Sequence, residues 1–471
     1  MQKLTVSYTD NIRNIDSLLR VNENFDIIKK TLVIADSELT LYYIDGFVKD
    51  GAMQKLMIYL LSIKELKAQG ASTAAVFVNE NIPYVEAEAT DSVDQMLHMV
   101  MSGATLVLGK HFEDKAILID SRTYPARSTQ EPESDRVIRG ARDGFVETLI
   151  FNTALIRRRI RDTSLTMHYM SIGSSSKTDV VLCYMADRAD PGYVSKIKEK
   201  LSSIKTGSLT MGHQSIAECL LKTNWYNPFP KIRCTERPDN AAAHLEEGRL
   251  ILLCDNTPEA MILPTSIFDF LQETNDYYFP PLTGTYLRLV RHAVSWLTLF
   301  MIPLWYLLIN NVELVPDWLS FIIPSERGRI PILAQLLITE FIIDGMRMAS
   351  MNTPNMLTNS LSVVGGLILG DFAIAIGWLI PEVILYMAFV TIANFSQSSY
   401  ELGYAFKFLR ILLLIFVALF NIWGFAIGLA LVFILIATNK TVNGNRKYLY
   451  PLIPFNAKAM AALFFRVKKH D

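Results

Sequence analysis

The sequence lacks an excess of charge of either sign, with 45 Lys and Arg against 46 Asp and Glu over 471 residues. A nucleic-acid binder carries a basic surplus to neutralise phosphates, so that class of partner is excluded. Cysteine is scarce. Cys183, Cys219, Cys234 and Cys254 form no CxxC pair and have no His at zinc-ligand spacing. They read as reduced, buried thiols. No GxxxxGK[ST] loop, HExxH helix, GxSxG elbow or GxGxxG turn is present. The seven histidines are scattered, and His213 and His244 read as helix-surface or hydrogen-bonded side chains. Neither an enzyme nor a resident cofactor or metal is expected. Met1 to Asn11 contains no apolar h-region, so the polar part of the chain is expected on the cytoplasmic side.

What the sequence does contain is a split. Residues 1–290 hold 32 basic and 37 acidic side chains, whereas residues 291–471 hold 13 and 9. The average hydropathy of +0.25 therefore combines a charged, soluble part with an apolar, membrane-type part. The uncharged run Ala293–Ile309 follows Arg288, Arg291 and His292, which predicts a span entering from the cytoplasm. Further apolar blocks cover 361–380, 381–395 and 411–438. The last is long enough for one tilted helix, or for two segments if it bends at Asn421–Gly424. Gly366/Gly370 and Gly424/Gly428 form GxxxG pairs, the spacing that lets helices approach closely.

Residues 331–348 are different, because an apolar segment there carries Glu340, Asp344 and Arg347. Spacings of four and three put the three on one helical face. Such charges face a bundle interior, pore or cavity, or else belong to an amphipathic helix in the interface. Counting 331–348 as a span gives five crossings, yet the tail from Lys440 to Lys469 is basic and argues for an even number. Four to six crossings are compatible with the pattern.

The polar part alternates strand-like and helix-like runs, which predicts α/β architecture. Strands are expected at 40–44, 74–78, 105–108 and 116–119, and from Asp179. Helices are expected at 52–66, 91–101, 194–204 and 241–246, with a hairpin across Asp255-Asn256-Thr257. The organisation reads as an α/β subdomain (1–130), a helical connector (131–165), a second α/β subdomain (166–285), a transmembrane helical domain (290–438) and a basic tail (439–471). Two polar clusters stand out: Arg139, Arg142, Glu147, Arg157, Arg158 and Arg159 around the connector, and Glu236, Arg237 and Asp239 after a Pro-Phe-Pro corner. Both read as interdomain ion pairs or as a subunit interface.

The runs Gln130–Asp162, Pro228–Asp239 and Glu247–Pro264 closely resemble the A subunits of spore germinant receptors, the GerA type. In the apolar part, Arg347–Pro354, Pro381–Tyr386, Ser399–Lys407 and Tyr448–Asn456 look most like a sporulation-stage branch of that family. The chain departs from the receptors at Ala141, where they usually carry proline, and at Met348, where they carry a glutamate. The resemblance implies a multi-pass subunit of the germination machinery in the spore inner membrane, its soluble part facing the core. It further implies a homo-oligomeric ring, a pentamer by likeness, that passes monovalent ions and works with other membrane germination subunits. A non-conducting scaffold for such partners is the alternative.

Overall fold

The computed structural model describes residues 2–65, 73–82, 86–124, 140–221, 225–325, 328–352, 372–442 and 448–466. The chain divides into two compact units, Met1–Lys222 with Ile232–Pro264, and Thr223–Lys231 with Thr265–Asp471.

The first unit is built on two five-stranded antiparallel sheets. Helix α1 (Tyr8–Leu19) starts where the Ser7 hydroxyl accepts from the Asp10 amide, and it buries Ile15 and Leu19 one turn apart. Strands β1 (Ile27–Ile34) and β2 (Ser37–Ile44) follow, closed by a two-residue turn with positive φ at Ala35 and Asp36. Next come α2 (Asp50–Ser62), α3 (Thr73–Asn81), β3 (Ala87–Thr90), α4 (Val93–Met101), β4 (Thr105–Gly109) and β5 (Ala116–Ile119). The sheet order is β1-β2-β4-β5-β3, and β4 and β5 are buried along their whole length. The strand expected at 74–78 is a helix instead. A five-residue apolar run does not distinguish the two, and Thr73, Ala74 and Phe77 are buried one helical turn apart. Phe77 packs edge-on against Phe112 at 5.1 Å.

Helix α5 (Leu149–Arg159) leads to the second sheet. Of the stretch read as a helical connector, 149–159 is helix, whereas 140–148 is not. Asn152 explains the boundary, because its side-chain amide donates to the Val146 carbonyl and its Oδ1 accepts from the Val146 amide. Then come β6 (Leu165–Ile172), β7 (Thr178–Met185), α6 (Pro191–Ser202), α7 (His213–Leu220), β8 (Arg233–Thr235), α8 (Pro238–Glu246), β9 (Leu250–Cys254) and β10 (Ala260–Leu263). Their order is β6-β7-β9-β10-β8. Leu155 and Ile156 join the core of this sheet, and Ala154 joins that of the first. Gly46, at φ +80°, lets the two meet, since a Cβ there would press on Ala154 and Ile150.

In the second unit, α9 (Asn275–Tyr278) precedes α10 (Pro281–Asn310), α11 (Ile332–Asn352), α12 (Pro381–Phe395), α13 (Tyr400–Ala437) and α14 (Ala457–Phe464). Among the described residues, α10 and α13 are long and apolar enough to cross a membrane, and α12 is apolar but shorter. The outer surface carries Phe341, Leu385, Ile392, Leu419 and Trp423 exposed, the reverse of a water-soluble bundle.

Helix α13 is not one straight rod. Asn421 has φ 52° and ψ −127°, and beyond it the chain reverses. Gly424 lies against the backbone at Phe416 and Val417, and the Leu413 Cα stands 3.6 Å from where a Gly428 Cβ would sit. Residues 8 and 15 apart along a straight helix would be about 12 and 22 Å apart. The two arms are therefore an antiparallel hairpin, and the reading of 411–438 as a single tilted helix gives way to the bend. Gly424 and Gly428 pack the chain against itself, while Gly366 and Gly370 lie outside the described residues. Asn311 and Asn421 exchange side-chain amide bonds at the tip. Replacing Gly424 with valine is expected to lower detergent-phase stability by about 1–3 kcal/mol through overpacking. Gly345→Ala serves as the control that should lose no stability, because among the described residues nothing lies within 4 Å of a Cβ at its position. Thermal unfolding of both variants reads the contrast, and equal midpoints would refute the hairpin contact.

Candidate functional site

Helix α11 presents Glu340 and Asp344 to the first arm of α13. Glu340 is 7% exposed and pairs with Arg410, whose Nε donates to its Oε1 at 3.1 Å. Asp344 pairs with Lys407. The higher-numbered acid meets the lower-numbered base, so the helices run antiparallel and spacings of four and three mesh. Arg410 also donates to the Thr298 carbonyl on α10 at 2.8 Å. Charged groups at 4% and 9% side-chain exposure persist only when paired and hydrogen-bonded, and both conditions are met.

Arg347 has a different environment. Its guanidinium lies 4.8, 5.4 and 5.0 Å from the ring centres of Phe395, Tyr400 and Tyr404, a cage that favours a cation through the ring quadrupoles. It also lines a cavity of about 740 Å³ together with Thr339, Ile343, Met387 and Thr391. A second space of about 10 Å³, room for a single water, lies among Glu340, Asp344, Asn394, Lys407 and Arg410.

Lys407 and Arg410 were not singled out by the sequence reading, which began the last apolar block at Ile411. Two cations three residues apart at the head of an otherwise uncharged run were the available signal.

The clusters assigned to an interface fall inside the first unit. Arg157 is fully buried, where its Nε and one terminal nitrogen grip both Asp26 oxygens at 2.9 and 3.0 Å. The other terminal nitrogen donates to the Leu165 carbonyl at 3.0 Å. Arg158 stacks on Tyr124 at 4.8 Å, and Arg159 binds Asp143 at 2.6 Å. Arg237, also fully buried, forks onto Asp239 and reaches the Ala141 carbonyl at 3.0 Å. The Glu236 carbonyl accepts from the Phe145 amide. Arg142 and Glu147 are exposed, and Arg139 lies outside the described residues.

All four cysteines are free, but only Cys183 and Cys254 are fully buried. Cys234 is half-buried and Cys219 exposed, which corrects the uniformly buried reading. Burial pushes the Cys254 thiol up to about 11. His244 is the hydrogen-bonded of the two expected cases, buried with Glu247 3.1 Å from Nδ1, and burial lowers its imidazole below the usual range despite that carboxylate. Among the described residues the fold gathers one set of metal-type ligands, His213, Cys234 and Glu259. Separations of 21 and 25 residues hide it from any spacing rule.

A family model described as Bacillus/Clostridium GerA spore germination protein matches residues 14–471. The chain is 37% identical to stage V sporulation protein AF of Bacillus subtilis (strain 168), over 95% of this chain and 90% of that one. It is 26% identical to spore germination protein KA of the same organism, over 95% and 82%. Spore germination protein GerLA of Bacillus cereus is 28% identical over 91% and 86%. The crystal structure of the N-terminal domain of the A subunit of the Bacillus megaterium germinant receptor GerK3 aligns with 55% of this chain and 96% of its own. That alignment has 24% identity and a TM-score of 0.41.

Proposed function

The chain belongs to the Bacillus/Clostridium GerA spore germination family, and on that premise we propose that it is a multi-pass subunit of the germination machinery that conducts monovalent ions as a homo-oligomer. The spore inner membrane is its location in this reading, with the N-terminal unit on the core side and other membrane germination subunits as partners. No reaction is assigned to it. The observation that carries the proposal is the paired row Glu340, Asp344, Lys407 and Arg410 inside an otherwise apolar unit. Ionisable groups within membrane-spanning segments are costly and mark substrate or ion paths. Asp344 is 34% exposed beside its buried partner Lys407, which makes it the carboxylate that an ion would meet.

An even number of crossings is supported by the directions of the described helices, while most of the expected span at 361–380 lies outside the described residues. The Trp296 ring packs at a tilt against Phe406 at 5.6 Å and Asn311 bonds Asn421, so α10 and the first arm run parallel. Trp305 meets Tyr386 and Thr298 meets Gln397, so α12 runs the other way. The return arm then brings the basic tail to the side where α10 begins, in keeping with the positive-inside rule.

A scaffold that passes no ions is the second reading, favoured by the internal pairing of Glu340 and Asp344, which leaves neither charge in need of a pore. Reconstitution of the purified oligomer in liposomes separates the two. Potassium efflux that falls at least tenfold in Asp344→Asn is the expected result, and a folded oligomer without efflux would establish the scaffold.

A further inference from the structure

We infer that His213, Cys234 and Glu259 form a site for one divalent transition-metal ion, Zn²⁺ first among them, on the first unit. The donor atoms of the three lie within 4.8 Å of one another, and His213 Nε2 is 3.0 Å from Glu259 Oε2. With metal bonds of about 2.0–2.3 Å, a tetrahedral centre places neighbouring N, O and S donors roughly 3.4–3.6 Å apart. Closing this set therefore needs side-chain adjustment only.

The backbone brings each donor there for a separate reason. Cys234 lies on β8 opposite Met261 of β10, and continuation of that register puts Glu259 diagonally across on the same face. His213 opens α7 immediately after Gly212, whose φ of +50° is matched by its close approach to Thr257. The loop before β10 is thereby seated against the start of α7. His213 Nδ1 is buried with no hydrogen-bond partner among the described residues, so Glu259 holds the ring from one side and no second bond seen there opposes its turning onto a metal.

The donor chemistry selects the ligand. One imidazole nitrogen, one thiolate and one carboxylate suit Zn²⁺, Co²⁺ or Ni²⁺ and disfavour Mg²⁺ and Ca²⁺, which require oxygen donors. Three protein ligands leave a fourth position for water. Side-chain exposures of 26% and 28% for His213 and Glu259 give an ion access from solvent. Binding would link the helix α7 to the edge of the second sheet, with loss of the thiol proton.

The test uses the full-length protein, stripped with a chelator and titrated with Co²⁺. One equivalent is expected to produce a thiolate-to-cobalt charge-transfer band that one equivalent of Zn²⁺ removes. Cys234→Ser should abolish the band, Cys219→Ser should leave it, and Glu259→Gln should weaken binding at least about tenfold. Alkylation of the unaltered protein gives a readout free of folding effects, since one equivalent of Zn²⁺ should protect Cys234 and leave Cys219 reactive. No charge-transfer band in the unaltered protein, a band that survives Cys234→Ser, or equal Cys234 alkylation with and without Zn²⁺ would overturn the site.

Discussion

Replacing Arg157 with alanine is expected to destabilise the first unit by about 3–5 kcal/mol, the cost of leaving a buried ion without its partner. Asp26, at 2% exposure, would keep a carboxylate that no other cation neutralises among the described residues. The loss extends to both sheets, because the same guanidinium holds the Leu165 carbonyl at the start of β6 and Asn24 ahead of β1. Asn24 in turn accepts from the Met167 amide at 2.7 Å. Lysine cannot rescue the position, since an ammonium lacks the planar fork that meets both Asp26 oxygens. Thermal unfolding of the full chain checks this, with an expected fall of roughly 6–20 °C for a unit of this size. Asp26→Leu combined with Arg157→Met should recover most of the loss, because removal of both charges leaves none unpaired. A single Arg157→Ala variant within 2 °C of the unaltered protein would show that the pair does not hold the subdomains together.

Exchanging the charges of the Glu340–Arg410 pair is expected to have the second large effect. Glu340→Arg alone sets two guanidiniums together in a poorly hydrated interior, and Arg410→Glu alone does the same with two carboxylates. Either variant should lose most of its monodisperse, folded fraction, at a cost of at least about 3–5 kcal/mol. The double exchange should restore the pair but only in part, because a glutamate at 410 cannot donate to the Thr298 carbonyl as Arg410 does. Size-exclusion profiles of detergent-solubilised protein measure the folded fraction. A double variant no better than either single one would show that α11 and α13 are not ordered by this contact.

Much of the polar part was legible because its strands and helices follow local rules. The hairpin across Asp255-Asn256-Thr257 is bounded by β9 and β10 as expected. The 74–78 run is ambiguous because five apolar residues satisfy either period, and the burial of Ala74 and Phe77 in the core shared with β5 decides for the helix. At the charged face, Glu340, Asp344 and Arg347 were visible as a row on one helix. Their partners Lys407 and Arg410 were not, since a sequence read in spans treats cations at the edge of an apolar run as interfacial anchors.

The sequence by itself determined the division into a charged α/β part and an apolar helical part, because hydropathy and periodicity are properties of short windows. It also determined the family, through motifs ordered along nearly the whole chain. Only the tertiary structure decided what each charge meets. Arg157 binds Asp26 across 131 residues, Arg410 binds Glu340 across 70, and His213, Cys234 and Glu259 come together from three elements. Long-range pairing depends on how helices and strands pack, and no local pattern encodes the distance between two side chains that meet only after the chain has folded.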